Sequence, residues 1–178
     1  MVDDVLATVL FKADGYDQSE LLTIGKKYTR KDACRLLGWE KDQTSTIYGY
    51  KTAYSTCPLF ITYAKSQDID DGIKYEDELL NSQTMRMFTR HPRRLSSQEV
   101  QTMVQGNAAG DIIMPLFVKK SDDEGIDFYY LGLVNIDQNS LQQETMLNKK
   151  GKEVPVVTMN LILEKPVQYQ LYLNLTKD

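Results

Sequence analysis

The sequence predicts a single α+β domain: a curved, mostly antiparallel sheet or small β-barrel with short flanking helices. Three observations predict it. The chain has 178 residues of ordinary globular composition, enough for one core and too few for two. From Thr46 onward, β-branched and aromatic runs outnumber helix-spaced ones, and adjacent runs are joined by short turns, as antiparallel pairing requires. Apolar residues make up 42 % and charged residues 26 %, with 11 Tyr, 5 Phe and 1 Trp, more aromatic surface than a disordered chain carries.

Taken in order, the first 28 residues mix Val5, Leu6, Val9 and Leu10 with Gly15, then Leu21, Leu22 and Ile24 before Gly25. They predict a helical lead-in or linker over 1–28, leaving 29–178 as the domain proper. Thr29 can cap a helix with Asp32 three residues on, and Ala33, Leu36 and Leu37 follow at helical spacing up to Gly38, which predicts a helix over about 30–37. Ile47 to Tyr50 and Leu59 to Tyr63 read as strands. Leu79 to Phe88 reads as a helix, and Ser96, Ser97, Gln98 and Glu99 form a capping box opening a second one that ends at Gly106 and Asn107. Strands return over 112–118, 128–134, 156–163 and 167–175, the last with Val167, Tyr169, Leu171, Leu173 and Leu175 on one face. Ser121 to Gly125 reads as a hairpin turn.

Charge is sorted along the chain. The net charge is −4, which argues against a protein coated in nucleic-acid-binding charge, yet four of the six arginines, Arg86, Arg90, Arg93 and Arg94, lie within nine residues with no acid between them. Such a strip can hold a phosphate backbone, because nearby charge rather than the sum decides at a Debye length of ~8 Å. A solvated surface explains it equally well. No apolar run is long enough to span a bilayer, and Met1 to Leu10 carries acids where a secretory signal would be basic, so a cytoplasmic protein with no membrane partner is expected. Cys34, Cys57 and His91 build neither a disulfide framework nor a zinc site of the usual spacing.

Catalytic patterns are sparse. Gly25-Lys26-Lys27 lacks the upstream glycine of a nucleotide-binding loop, and one histidine excludes the histidine-pair motifs. Glu76, Asp77 and Glu78 beside Lys74 could hold Mg²⁺ as a nuclease would, but an acidic turn at a helix start explains them more simply. No cofactor is expected. Recognition fares better. Tyr48 and Tyr50 flank Gly49, and Tyr63 and Tyr75 bracket an acidic turn. Tyrosine faces and a carboxylate can hold an extruded base, each stacked base contributing ~1–3 kcal/mol. Packing in the core is the competing reading for any one of these tyrosines.

The segments Tyr28–Trp39, Ile47–Lys51, Phe60–Lys65, Lys74–Glu78, Phe88–Arg90, Leu116–Lys120 and Asp127–Gly132, in that order, carry a resemblance. They are similar to the domain of unknown function at the C-terminus of bacterial DEAD/DEAH-box helicase-like proteins, a family that includes type IV, modification-dependent restriction enzymes. The resemblance implies an SRA/PUA-like barrel that recognises 5-methylcytosine or another modified cytosine in double-stranded DNA by base flipping. It also implies helicase and phospholipase-D-type nuclease domains as partners in a longer chain, and a bacterial cytoplasmic setting. In that reading Tyr48, Tyr50, Tyr63, Tyr75, Glu76 and Asp77 form the base pocket, Lys51, Arg86, Arg90, Arg93 and Arg94 contact the DNA backbone, and the isolated domain is no enzyme. The alternatives are a protein-interaction or regulatory module that docks on the helicase, and a metal-dependent nuclease.

Overall fold

The computed structural model describes residues 21–64 and 77–177. Among them eight strands form one curved sheet that nearly closes into a barrel, accompanied by three short helices. The strands are β1 (Lys27–Tyr28), β2 (Leu59–Ala64), β3 (Glu78–Leu79), β4 (Thr84–Phe88), β5 (Met114–Ser121), β6 (Phe128–Ile136), β7 (Gln142–Leu147) and β8 (Glu153–Leu163). The helices are α1 (Arg30–Leu36), α2 (Gln98–Ala109) and α3 (Tyr169–Thr176). The sheet order is β2-β5-β6-β8-β4-β3, with β1 on β6 and β7 on β8. Every strand pair is antiparallel except β2 and β5, which run parallel in register from Leu59 opposite Leu116.

The β2-β5-β6 region is covered on both faces, so β5 is buried continuously from Met114 to Lys119 rather than alternating. On the inner face, Ile61, Leu116, Val118 and Leu131 join Met85, Met87, Met103 and Met159 in the larger core. On the outer face, Phe60, Phe117, Phe128 and Tyr130 pack under α1 through Ala33, Cys34 and Leu37. Phe60 and Phe117 stack at 4.8 Å between ring centroids, and Phe117 lies 5.0 Å from Tyr130. Each such ring contributes about 1.5–3 kcal/mol by leaving water. Burial also pushes the thiol pKa of Cys34 up to about 12 and that of Cys57 up to about 11.

Several elements follow the expectations. Thr29 caps α1, its hydroxyl accepting from the Asp32 amide, and Ser121 to Gly125 joins the antiparallel β5 and β6. Others require correction. Leu79 to Phe88 is not a helix: Met85 and Met87 are buried while Thr84, Arg86 and Phe88 are half-buried, a period of two imposed by pairing with β8. The run 167–175 is not a strand but mostly the helix α3. Its alternating apolar residues include the helical pair Leu171 and Leu175, which meet the core with Tyr172 while Tyr169 stays 68 % exposed. Ile47 to Tyr50 forms only isolated bridges, Tyr48 with Tyr50 and Tyr50 with Leu59. The polar strand β7, with only Met146 buried, has no sequence signature of burial. Of the expected lead-in, residues 1–20 lie outside the described residues, and further on Leu22 is buried and Lys27 and Tyr28 pair with β6.

The α2 helix continues past Gly106 to Ala109 and ends on Gly110 in the left-handed region. Asn107 ties it to the barrel: its Oδ1 accepts from the Ile136 amide at 2.9 Å and its Nδ2 donates to the Ile112 carbonyl. Gly106 permits that close approach. A Cβ there would sit 2.7 Å from Ile112 Cγ1 and 3.2 Å from its Cβ. Gly106→Ala should therefore destabilise by about 1–2 kcal/mol in a urea titration, although helix propensity alone favours Ala by about 1 kcal/mol. A more stable variant would show that Ile112 yields freely.

Candidate functional site

The end of β4 gathers the polar groups. Asp77, just before β3, accepts from the Phe88 amide through Oδ1 at 2.8 Å. Two residues on, the Arg90 amide donates to the Tyr50 hydroxyl at 3.2 Å, and the Arg90 guanidinium donates to the Tyr50 carbonyl. The same guanidinium lies 4.3 Å from the centre of the Tyr50 ring. Tyr50 is 4 % exposed and belongs to the core, so it offers no open stacking face.

Glu99, in the first turn of α2, completes the group. Its Oε2 accepts from Tyr50 Oη at 2.9 Å and from Arg93 Nε at 2.7 Å, while Oε1 stands 3.3 Å from Arg90 Nε. The expected capping box is not formed: the Ser97 hydroxyl accepts from the Arg94 amide, and the Glu99 carboxylate turns to the arginines. Burial raises the Glu99 pKa, but the hydrogen bonds from Arg93 and Tyr50 and the charges of Arg90 and Arg93 outweigh it and hold the carboxyl below its ordinary value. Burial likewise pushes the Tyr50 hydroxyl up to about 12, against the lowering hydrogen bond from Arg90.

Beside this group opens a cleft of about 370 Å³. The loop 46–52 supplies Thr46, Lys51 and Thr52 to one side, α2 supplies Gln98, Glu99 and Thr102 to the other, and Arg90 forms part of its wall. The loop is fixed beyond Thr52 by a two-residue turn in which Tyr54 and Ser55 have positive φ and Ala53 and Thr56 exchange both backbone hydrogen bonds. Trp39 Nε1 donates to the buried Thr56 hydroxyl at 2.7 Å and anchors the turn to the outer core.

The structure thus brings together Tyr50, Lys51, Arg90, Arg93 and Asp77 around the end of β4. Arg86 stands apart, 3.6 Å from Glu144 and over the Phe88 ring. Arg94 is exposed, Tyr48 is 72 % exposed on its turn, and Tyr63 is half-buried against the inner core. Tyr75 and Glu76 lie outside the described residues, so the 76–78 carboxylate group is described only at Asp77 and Glu78. For Glu99 the sequence predicts only a place in the capping box. One signal pointed to it: it is the first acid after the acid-free arginine strip.

A family profile, the domain of unknown function DUF3427, matches residues 22–175. The chain belongs to the DUF3427 family. No curated protein matches the sequence of this DUF3427 domain. Among solved structures, the DNA modification-dependent restriction endonuclease AspBHI is similar with a TM-score of 0.51 and 16 % identity over 84 % of this chain and 76 % of its own. The SRA domain of SUVH5, solved with hemimethylated CG DNA, has a TM-score of 0.49 and 13 % identity over 83 % of this chain and 91 % of its own. SUVH6 of Arabidopsis thaliana has a TM-score of 0.47 and 13 % identity over 93 % of this chain, which spans only 32 % of that protein. At these identities the likeness is one of fold.

Proposed function

We propose that this DUF3427 domain binds duplex DNA and reads a modified cytosine extruded from the stack. The observation that carries this reading is the curved-sheet fold shared with AspBHI, an enzyme whose restriction depends on DNA modification. Local chemistry supports it. Extrusion costs a few kcal/mol, which only stacking and edge contacts can return. Asp77, hydrogen-bonded to the end of β4, is a carboxylate able to receive an exocyclic amine, and Tyr48, Tyr63, Tyr75 and Glu76 are the aromatic and polar residues assigned with it to the pocket.

The cationic assignments divide by their partners. Arg94 and Lys51 take phosphates; Arg86 reaches them by leaving Glu144. Arg90 and Arg93 chiefly hold the end of β4 against α2 through Glu99. The domain itself needs no catalysis in this role and directs a linked helicase and nuclease, as the family resemblance implies.

Extrusion is testable with a duplex that carries 2-aminopurine next to a 5-methylcytosine. Binding should raise the fluorescence as the probe loses its stacking neighbour, and an unmethylated duplex should respond less. Tight binding without any fluorescence change would mean that the base stays in the helix.

A further inference from the structure

We propose that the cleft between the 46–52 loop and α2 is a phosphate site that seats a sugar–phosphate unit of the DNA backbone. The inference rests on the DNA-reading function and deepens it. Its first support is what the lining lacks. All seven lining residues are polar or charged and none is aromatic, so no ring is available to stack a base.

Its second support is the balance of donors and charge. Lys51, Gln98, Arg90 and the Thr102 hydroxyl can donate into it, whereas Glu99 alone is acceptor-only; the Thr46 hydroxyl already donates to the Gln43 carbonyl at 2.7 Å. Glu99 already receives Tyr50 and Arg93 and faces Arg90. Lys51, Arg90 and Arg93 against Glu99 leave a local excess of positive charge on a chain whose net charge is −4. The Lys51 ammonium has a neutral partner, donating to Thr46 Oγ1 at 2.7 Å, and makes no ion pair among the described residues. An ammonium without a carboxylate partner, on a loop fixed by the Ala53–Thr56 turn, is preorganised for an anion. At about 370 Å³ the cleft is larger than a phosphate group and admits its ester.

The same chemistry would take a free phosphate ester, and the test separates the two sources. The full chain is titrated with inorganic phosphate and with methylated and plain duplexes while the backbone amides are followed by NMR. Affinities for both duplexes are measured across salt for wild type, Lys51→Gln and Lys51→Arg. Both ligands should shift the amides of Lys51, Thr52, Gln98 and Thr102. Lys51→Gln should weaken both duplexes by the same factor and lower the slope of log K against log salt by about 0.9, and Lys51→Arg should restore it. An otherwise unchanged amide spectrum establishes that the variants are folded. If DNA binds but neither ligand shifts these amides and the slope is unchanged in Lys51→Gln, the phosphate site is refuted while the DNA reading stands. If inorganic phosphate shifts them and wild type binds no DNA, the DNA reading fails, and with it the backbone source.

Discussion

Replacing Glu99 by Ala should lower the free energy of unfolding by about 2–3 kcal/mol. Removing one partner of a fully buried charge cluster costs about 3–5 kcal/mol, because the remaining charges stay desolvated and unpaired. The Glu99 side chain is 29 % exposed, which places this cluster below that range. Arg90, Arg93 and the Tyr50 hydroxyl would all lose their shared acceptor, and the loop 46–52 would lose its tie to α2. The pH dependence has a definite sign. A carboxyl whose folded pKa lies below its ordinary 4.5 contributes stability that is fully present above that value and disappears as pH falls through the folded pKa. The gap between wild type and Glu99→Ala in urea titrations should therefore be widest near neutral pH and shrink below about pH 4.5. A gap of constant size down to about pH 3 would mean that the carboxylate charge contributes nothing to the network.

Asp77→Asn should remove the preference for modified DNA while leaving the salt-sensitive affinity for any duplex. The amide oxygen can still accept from the Phe88 amide, so the end of β4 keeps its hydrogen bond. The amide nitrogen, however, presents a donor where an exocyclic amine needs an acceptor. A mismatched edge contact costs about 1–3 kcal/mol, so the ratio of affinities should fall by about five-fold or more. Tyr75→Ala should act in the same direction through lost stacking. Folded variants that keep the wild-type ratio would move the pocket away from Asp77 and Tyr75.

Much of the sheet was legible because burial leaves a dense signature. The run Ile112–Val118 is apolar throughout, as a strand covered on both faces must be, and Val156–Leu163 is apolar except at Thr158 and Asn160. The α1 helix announced itself through Thr29, whose cap is local in sequence. Tyr169–Thr176 and Thr84–Phe88 were not legible. In each, spacing fits two periods, and partners distant in sequence decide between them, Met159 opposite Met87 and the inner core beneath Leu175. The site shows the same division. Tyr50, Lys51, Arg90 and Arg93 stand out by residue type, but Tyr50 meets Glu99 across 49 positions, a contact that only the tertiary fold creates. The arginine strip takes another meaning for that reason: Arg90 and Arg93 share the Glu99 carboxylate, and Arg86 pairs with Glu144.

The reading of modified DNA by this domain is tested by a pair of titrations of the wild-type chain at one ionic strength, using 5-methylcytosine and plain duplexes of identical sequence. The methylated duplex should bind more tightly, and raising the salt should weaken both while leaving their ratio nearly unchanged, because phosphate contacts carry the salt dependence and base contacts carry the preference. Equal affinities for the two duplexes would contradict the reading of 5-methylcytosine by this domain.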